Sequence, residues 1–353
     1  MRTLGAAALA ASTPVSRTHA QAAAPCESRT IHNEGFNWLD AREARRMISR
    51  IADAGFNVLV TCVWHGSGAT WPSKAAPLVE SFPRGDPFAQ LLDLAHQRGI
   101  EVHAWFTVAL RQREFLSQFT DTGAPSQKFE IHRPEFREFI TRTIQEFLQR
   151  YPVQGLNLDY VRAGGISLSR YAMQDYEKRT GRTLLIDRTL ATDAARFAVE
   201  QWQEAAITDV VRSASANARA ARPGIVISAD AAPWYAPYRL EGQNSMRWAD
   251  ERLIDVLYSM NYQDVLDVAA LGRIRSELKR PEALVPIVSN YVGSGERVAS
   301  RPPRDLAMLL QQAREVSRDN GVAVYLYNML DDAQVRGLRE GPFAQATTPA
   351  WVR

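Results

Sequence analysis

The chain has 353 residues, 46% of them hydrophobic and 23% charged, with a formal net charge of +3. Such a composition is ordinary for a globular protein and gives no reason to expect a disordered chain. The small net charge and the scattered arginines argue against a nucleic-acid partner, and nothing after the amino terminus approaches the roughly 20 apolar residues that a membrane helix needs.

The first predicted element is a leader that covers residues 1–25. It combines an early Arg2, a short alanine-rich apolar run and small residues around Ala20, as export signals do. Removal of this leader would leave a protein that acts outside the cytoplasm, either in the periplasm or secreted. Because the apolar run lacks the leucines of a strong signal, a disordered leader without an export role stays open.

Eight strand-like apolar runs follow the leader, and amphipathic helices separate them. Asp40 predicts the start of the first helix, because Glu43 stands three positions later as in a capping box. Pro87 and Pro134 predict the starts of the second and third helices, since proline favours the first turn. The strands are predicted at residues 28–34, 57–64, 100–108, 155–162, 224–230, 255–262, 283–291 and 322–328, and two longer helices at residues 190–220 and 302–320.

Strands that alternate with helices predict a parallel sheet buried on both faces. With eight repeats, the sheet closes most simply into a single (β/α)8 TIM barrel of the α/β class, at residues 26–345, followed by a C-terminal tail at residues 346–353. A long insertion after the fourth strand, at residues 163–187, is interpreted either as a lid over the barrel mouth or as a surface helix without a binding role. The two cysteines, Cys26 and Cys62, are predicted to be packing residues that form no disulfide.

Two of the strands end in an aspartate, Asp159 in GLNLDYVR and Asp230 in GIVISAD. Acid side chains are costly to bury, and barrels carry their chemistry at the carboxyl ends of their strands. Strand alternation places Asn157 on the same face as Asp159, and Ser228 likewise shares a face with Asp230. The sequence therefore predicts that both aspartates point into one cleft. The alternative is that either one is a cap or a salt-bridge partner, as Asp159 would be for Arg162.

Paired carboxylates in one cleft predict glycosidic cleavage. Their mutual repulsion keeps one carboxyl protonated near neutral pH while the other stays ionised. The protonated group of a glycosidase protonates the leaving oxygen, and the ionised group attacks the anomeric carbon or activates water. Because Arg162 follows Asp159 closely, we expect Asp159 to be the ionised nucleophile or base and Asp230 to be the acid/base.

Aromatic and amide side chains collect at the same strand ends. Sugar rings have apolar faces that pack on aromatic rings, and their hydroxyls need polar partners such as amides. Each aromatic residue taken alone is better explained as core, but the collection at one end predicts a sugar-binding cleft. Its members are Trp64, Trp71, Trp105, Trp234, Tyr235, Tyr262, Tyr291, Tyr327, Asn261, Asn290 and Asn328.

The histidines of the early strands do not predict a metal site. His32, His65 and His103 line or end these strands, and Glu34 is the acid that could join them. They lack the His-x-His or Glu-x-x-His spacing of common metal sites. We therefore expect no metal and no other cofactor, and a metal-dependent hydrolase is a minor alternative that a chelator would reveal.

Several segments of the chain resemble a known family. They are GFNVLVTCVWHGSGATWPSK, RGIEVHAWF and HRPEFREFITRTIQEFLQRYPVQGLNLDYVR, with weaker similarity in VISADAAPWY and DVLYSMNYQD. These segments are similar to the bacterial family 10-like glycosyl hydrolases, a group of extracytoplasmic TIM-barrel glycosidases. The resemblance implies that Asp159 is the strand-four carboxylate of that group. It also implies that His103, Trp105 and Tyr262 lie in the sugar-binding cleft.

The chain departs from this family at two positions. Many relatives carry two consecutive acidic residues where this chain has Asp159-Tyr160, and they often lack an aspartate at the position of Asp230. Glu34 and Asp264, near other strand ends, are therefore alternative acids. Besides the two aspartates, the residues predicted to bind substrate are Glu34, Trp64, His103, Trp105, Arg162, Trp234, Tyr262, Asn290 and Tyr327.

The sequence as a whole predicts a glycoside hydrolase that cleaves a bacterial poly- or oligosaccharide with two carboxylates. A barrel that binds polysaccharide or cell-wall glycan without cleaving it is the second class, because the same aromatic cleft would serve both. The enzyme alone would depend on Asp159, with a pH response set by two coupled carboxyls. The expected partner is a carbohydrate, and the sequence predicts no oligomeric state.

Overall fold

The structure is a computed structural model that describes residues 26–190, 192–295, 297–318 and 321–352, so the leader predicted for residues 1–25 lies outside the described residues. The strands of these ranges are β1 (Ser28–Asn33), β2 (Val58–Trp64), β3 (Glu101–Thr107), β4 (Gly155–Asp159), β5 (Val226–Ala231), β6 (Val256–Asn261), β7 (Leu284–Ser289), β8 (Tyr291–Ser294), β9 (Arg297–Ser300) and β10 (Gly321–Tyr325). Strands β1 to β7 and β10 pair in parallel and close into a barrel in the order β1-β10-β7-β6-β5-β4-β3-β2. The predicted (β/α)8 barrel is confirmed.

Helices cover the outside of the barrel. They are α1 (Ala41–Asp53), α2 (Pro87–Gln97), α3 (Pro134–Arg150), α4 (Arg170–Thr180), α5 (Leu184–Asp187), α6 (Asp193–Ala221), α7 (Ala236–Leu240), α8 (Ser245–Asp250), α9 (Val268–Glu277), α10 (Pro303–Ser317) and α11 (Asp332–Glu340). The side chain of Asp40 caps α1 as predicted, because it accepts hydrogen bonds from the backbone amides of Arg42 and Glu43. None of the described helices combines the length and the apolar character that a bilayer crossing needs.

The core has two layers, because successive side chains of a strand point to opposite sides of the sheet. The outer layer packs strand residues such as Leu59 and Phe106 against helix residues such as Phe147. The inner layer fills the barrel, which is therefore a packed core and not a pore. Its apolar members are Val60, Cys62, Trp105, Val226, Val256, Tyr258, Val285, Ile287 and Ala323.

The amino-terminal end of the barrel is closed by the end of the chain. The ring of Trp351 packs against the inner layer, and its indole N–H donates a hydrogen bond of 2.7 Å to Glu101 Oε2. The backbone N–H of Glu27 donates to the carbonyl of Thr348 at 2.9 Å. Residues 346–353 were predicted to be a tail outside the barrel. Residues 348 and 351 instead belong to its packing, because an open barrel end would leave the inner layer in contact with water.

Two segments outside the eight repeats are regular in the structure. The insertion after β4 forms α4 and α5, and its Tyr176 packs with Trp202 of α6 in a small separate cluster. These contacts attach the insertion to the outside of the barrel and favour the surface-helix alternative over the lid. The second segment is an antiparallel hairpin of β8 and β9, which the sequence did not predict. Tyr291, expected to end the seventh strand, begins this hairpin.

Candidate active site

The two predicted aspartates lie at the carboxyl ends of neighbouring strands. Asp159 is the last residue of β4, and Asp230 is the last but one of β5. Leu158 pairs with Ala229 in the strand register. Asp159 and Asp230 are the next residues of the two strands, so they lie at the same height along the barrel. Both side chains are buried, with 6% of Asp159 and 2% of Asp230 exposed. The structure therefore brings the two carboxyl groups together at the mouth of the barrel, as predicted.

Asp230 accepts hydrogen bonds from side chains that lie deeper in the barrel. The side-chain amide of Asn157 donates to Asp230 Oδ1 at 3.0 Å and to the hydroxyl of Ser228 at 3.0 Å. The Nε2 atom of His32, which is fully buried on β1, lies 3.4 Å from the same Asp230 oxygen. Donors that face a carboxylate favour its ionised form. The surroundings of Asp230 therefore suit a carboxylate anion.

Asp159 has a different environment. Burial and, next in size, the charge of Asp230 raise the pKa of Asp159 to about 7. The expectation that Arg162 keeps this carboxyl ionised is not met, because Arg162 Nη1 is 4.0 Å from Asp159 Oδ1 and Arg162 Nε lies closer to Glu241 Oε2, at 3.5 Å. The backbone N–H of Tyr160 donates to Asp159 Oδ1 at 2.5 Å, which does not outweigh burial. Asp159 thus keeps its proton up to a pH of about 7, well above the range of an ordinary aspartate.

The residue after Asp159 has an unusual backbone. Tyr160 has a φ of 49°, in the left-handed region that a bulky side chain rarely adopts. Its ring contacts two cations, with the Arg162 guanidinium carbon 4.7 Å and the Lys128 ammonium 4.9 Å from the ring centroid. Arg162 also stacks on Tyr238 at 4.1 Å. Strained backbone of this kind is retained where the surroundings over-determine it, and functional sites are the usual place.

A polar cluster forms the rim of the mouth on the side of β1 and β2. Glu34 Oε1 lies 3.2 Å from His65 Nε2, and Gln112 Nε2 lies 3.0 Å from His65 Nδ1. The Tyr325 hydroxyl donates to the other oxygen of Glu34. The hydrogen bond with His65 is the main reason that the pKa of Glu34 is lowered. Glu34 is therefore an ionised, pre-oriented acceptor at the rim.

An open groove of about 620 Å³ extends outward from this rim. Its volume lies in the range of about 300–1,000 Å³ that is typical of small-molecule sites. Residues from the loops after β1, β2 and β3 line it, among them Phe36, His65, Ser67, Gln112, Arg113 and Phe115. Beside Glu34, the ring of Tyr325 stacks on that of Tyr262, with 4.9 Å between the ring centroids. The mouth thus combines an apolar wall with a polar rim.

Five of the residues predicted to bind substrate lie in or near the mouth. Glu34, Arg162 and Tyr262 surround the two aspartates, and the charges of both aspartates act on the Tyr262 hydroxyl. Trp105 lies one layer below Asp159, because it pairs with Asn157 in the strand register. Trp234 follows β5 in a loop, is 42% exposed, and contacts Tyr235 with a centroid distance of 5.7 Å.

The other four predicted residues lie elsewhere. Trp64 points to the outer layer and contacts Phe115 and Phe139. Tyr327 belongs to the same outer layer, on a 3-10 helix after β10. Asn290 is fully buried in hydrogen bonds with Gln334 and the backbone of Leu326.

His103 is the fourth of these residues and lies at the bottom of the barrel. Its ring is 5.2 Å from that of Trp351 and occupies the space where a side chain at Gly155 would stand. A Cβ atom built on Gly155 would be 2.3 Å from His103 Cγ. These contacts explain both residues by packing, because the mouth lies at the other end of the strands.

Five residues of the mouth were not predicted from the sequence to bind substrate or to act in catalysis. His32 and Asn157 contact Asp230, while His65 and Tyr325 contact Glu34. The period of two along β1 would have indicated that His32 shares a face with Glu34. No comparable signal existed for Gln112, whose loop position depends on the fold. Within the described ranges, no three histidine, cysteine, aspartate or glutamate side chains come together as a metal site.

Comparison with known proteins places this barrel in a family. The sequence model of the family described as Glycosyl hydrolase-like 10 matches residues 30–299. The chain belongs to the glycosyl hydrolase-like 10 family. Membership confirms the resemblance found in the sequence.

Two curated relatives illustrate the extent of the similarity to this glycosyl hydrolase-like 10 chain. Glycosyl hydrolase DigH of Escherichia coli (strain K12) is 31% identical over 30% of this chain and 30% of its own length. Glycosyl hydrolase YngK of Bacillus subtilis (strain 168) is 20% identical over 52% of this chain and 38% of its own length. The match therefore spans well under half of either relative.

Solved structures of glycoside hydrolases share the barrel of this glycosyl hydrolase-like 10 protein. The PgaB (BpsB) glycoside hydrolase domain from Bordetella bronchiseptica has a TM-score of 0.66 at 13% identity and covers 91% of this chain and 99% of its own. A β-galactosidase from Bacillus circulans sp. alkalophilus has a TM-score of 0.65 at 11% identity, covering 90% and 55%. The β-amylase catalytic domain from Paenibacillus polymyxa reaches 0.60 at 9% identity, covering 92% and 100%. These identities show a common fold.

Proposed function

We propose that this chain hydrolyses glycosidic bonds in a bacterial poly- or oligosaccharide, with Asp159 as the proton donor and Asp230 as the ionised partner. One observation carries the proposal: two buried carboxyls at the mouth have opposite environments. Burial and the charge of Asp230 raise the pKa of Asp159 to about 7, while donors face Asp230. A pair of acids with unlike environments is the arrangement that glycosidases use.

These roles reverse the ones expected from the sequence. That expectation depended on Arg162, which follows Asp159 in the chain and was taken as its counter-ion. In the structure, Arg162 is 4.0 Å away and divides its charge between Asp159 and Glu241. Direct hydrogen bonds outweigh a distant charge of this kind, so Asp230 is the better anion.

The reaction follows from these protonation states. Asp159 donates its proton to the leaving oxygen as the glycosidic bond breaks. The carboxylate of Asp230 faces the developing positive charge at the anomeric carbon, either as the attacking nucleophile or as the base that activates water. Water completes the reaction. With Asp230 as nucleophile, water cleaves the glycosyl–aspartate ester and gives its proton to Asp159; with Asp230 as base, water attacks the anomeric carbon and gives its proton to Asp230, and exchange with solvent then returns Asp230 to the anion and Asp159 to the acid. General acid catalysis of this kind contributes about 10²- to 10⁴-fold in rate.

The surroundings of the acid pair support a saccharide as the bound molecule. The Tyr262–Tyr325 pair offers an apolar surface for a sugar ring. Glu34, held by His65, offers an ionised acceptor for hydroxyl groups. The groove of about 620 Å³ beside His65 leaves room for the chain to continue beyond the bond that is cleaved. Trp234, exposed after β5, supplies a further aromatic surface.

A panel of bacterial exopolysaccharides and purified peptidoglycan tests the proposal. Wild-type protein should release reducing ends from at least one polymer, and Asp159→Asn and Asp230→Asn should each lower the rate at least about 100-fold. Asp53→Asn, which alters an exposed acid paired with Arg98, is the matched control and should behave as wild type. Polymer binding by all four proteins without new reducing ends would establish the non-catalytic barrel instead.

The two roles separate with activated substrates. A dinitrophenyl glycoside of the released sugar has a leaving group that needs no proton. Asp159→Asn should recover most of the wild-type rate of dinitrophenol release in the first turnover, the step that an activated leaving group assists, whereas Asp230→Asn should stay inactive. Recovery by Asp230→Asn and not by Asp159→Asn would restore the roles that the sequence suggested.

We also propose that the protein works outside the cytoplasm. The support is the composition of residues 1–25, in which an early Arg2 precedes an alanine-rich run and small residues. A fusion of these residues to an alkaline phosphatase that is active only after export should give enzyme activity in whole cells. A fusion lacking residues 1–25 is the control, and equal activity of both fusions would refute the proposal.

A further inference from the structure

We infer that His32, on the first strand, is a positioning residue that acts with Asn157 to hold Asp230 as the charged member of the acid pair. Its ring does so as a neutral donor, so that the shared proton is directed to Asp159. The catalytic role of His32 in this inference rests on the proposed function. Its geometry, however, concerns the protein alone and can be examined without a substrate.

The orientation of the His32 ring is fixed by packing. His32 is fully buried, and Tyr258 and Trp105 contact it edge to face, at centroid distances of 5.3 and 5.7 Å and interplanar angles of 85° and 82°. This packing directs Nε2 to Asp230 Oδ1, 3.4 Å away. Asn157 donates to the same oxygen at 3.0 Å. Two strands other than β5 therefore supply the donors that face Asp230.

The second ring nitrogen decides the charge of His32. Its Nδ1 atom is buried and has no hydrogen-bond partner among the residues that the structure describes. A buried N–H of an imidazolium without an acceptor is costly, and more costly than an unshared lone pair on a neutral ring. The neutral tautomer with its proton on Nε2 is therefore the one that fits. It can donate to Asp230 and adds no positive charge.

A neutral donor has a particular consequence for the pair. An arginine or a lysine at this position would cancel the charge of Asp230 as well as hold it. His32 and Asn157 stabilise the carboxylate through hydrogen bonds and leave its charge to act on the neighbour. That charge is, after burial, the second cause of the raised pKa of Asp159. The two donors thus determine which of the two carboxyls keeps the proton.

Other titratable groups face the same space and have to be kept constant in any test. They come from five of the barrel strands and the loops that follow them. They are Glu34, Cys62, Asp159, Arg162, Tyr258, Tyr262 and Tyr325. A substitution at His32 removes none of these groups, and Tyr258 is the member whose ring it contacts, whereas substitutions at the rim would remove Glu34 or its partners directly.

The test is a ¹³C NMR titration of aspartate carboxyls in the full chain, with the Asp159 signal assigned by its loss in Asp159→Asn. In His32→Leu the midpoint of Asp159 should fall by about one pH unit, a tenfold change in its proton affinity. His32→Gln, which keeps a donor near the position of Nε2, should restore most of the wild-type midpoint. His103→Leu removes an equally buried barrel histidine that contacts Trp351 and not Asp230, and should leave the midpoint unchanged.

Two results would overturn the inference. One is an unchanged Asp159 midpoint in His32→Leu, or an equal shift in His103→Leu. The other comes from the wild-type protein and applies even if His32→Leu fails to fold: ¹⁵N shifts of the folded protein should report a proton on His32 Nε2 and none on Nδ1. A proton on Nδ1 would refute the neutral donor. Neither measurement uses a polysaccharide, so failure of the proposed function would be seen separately, as wild-type protein that cleaves no polymer.

Discussion

Asp159 and Asp230 lie at the ends of adjacent strands of the barrel, and the charge of Asp230 helps to raise the pKa of Asp159. Burial raises the pKa of Asp159 to about 7 with the help of the Asp230 charge, and Asn157 and His32 donate to Asp230 from below. Two carboxyls that interact this strongly titrate as a pair.

The pH dependence of cleavage is the first prediction. Asp159 has to carry a proton to act as the acid, so kcat/KM should fall as the pH rises through about 7, where this carboxyl loses its proton. Initial rates between pH 5 and 9 on the most readily cleaved polymer measure this limb. A rate that keeps rising from pH 7 to pH 9 would contradict the role of Asp159 as acid.

The stability of Asp159→Asn is the second prediction. The folded-state pKa of Asp159, about 7, lies above its ordinary value of 3.8, so the folded protein retains a proton that the unfolded chain releases. Wild-type stability should therefore decline as the pH rises from about 4 to 7. The variant lacks this loss. At pH 8 its free energy of unfolding should therefore exceed that of wild type by up to about 4 kcal/mol, so that it unfolds at a higher urea concentration. At pH 4 the two proteins should unfold at similar urea concentrations.

Urea unfolding of both proteins at the two pH values provides the measurement. Asp53→Asn, an exposed acid that pairs with Arg98, serves as the control and should follow wild type at both. A variant at position 159 that is less stable than wild type at pH 8 would show that the carboxylate is well paired in the folded protein.

The third prediction concerns Glu130, a carboxylate that is 1% exposed beside the insertion after β4. Burial alone would raise the pKa of Glu130. The hydrogen bond from His132 at 2.8 Å, its charge, and the hydroxyls of Ser167 and Ser169 lower it to about 2. A depressed pKa stabilises the fold above about pH 4.5, and this contribution is lost as the pH falls to about 2.

Glu130→Gln should therefore lower the free energy of unfolding at pH 7 by about 3 kcal/mol, the equivalent of the pKa difference. It should also remove the part of the acid sensitivity that lies between pH 4.5 and 2. Glu114→Gln is the control, because the side chain of Glu114 is 92% exposed. Equal stability of the Glu130 and Glu114 variants at pH 7 would contradict the prediction.

The fourth prediction concerns the closed end of the barrel. Trp351→Ala removes a ring that packs on the inner layer and on His103, and it leaves Glu101 without the indole donor. Because the ring is partly buried, the cost should be about 2–3 kcal/mol, below the 3–5 kcal/mol typical of fully buried aromatic residues. Trp234→Ala, at an exposed position, should change the free energy of unfolding by less than about 0.5 kcal/mol.

The barrel itself could be predicted because its signals are local. Short stretches of sequence are enough to recognise the apolar strands, the cap at Asp40 and the prolines that begin α2 and α3. The positions of Asp159 and Asp230 at strand ends followed from the same segments. The closure of the barrel by Trp351 could not be predicted in this way, because it depends on contacts between the two ends of the chain.

The side on which Trp64 points shows where local patterns fail. A period of two along β2 puts Trp64 on the inner face with Val60 and Cys62. The pairing of β2 with β3 shifts register between Cys62 and Trp64, so the ring turns to the outer layer and packs on Phe139. A shift of one residue reverses the face of every following side chain.

The height of a side chain along its strand is equally hard to predict. Alternation correctly places His103 and Trp105 on one face of β3. Only the register with β4, in which His103 pairs with Gly155, shows that His103 lies two layers below Asp159. Register depends on how neighbouring strands pack, which a single strand does not encode.

The meeting of Glu27 with Thr348 at the closed end of the barrel has a practical consequence. Anything fused or tethered to either end of the folded barrel emerges on the face opposite the aspartates. A bead, an affinity tag or a second protein attached there would leave the mouth free to approach an insoluble polymer. The fold can therefore be immobilised from both ends without obstructing the face on which a long glycan would have to lie.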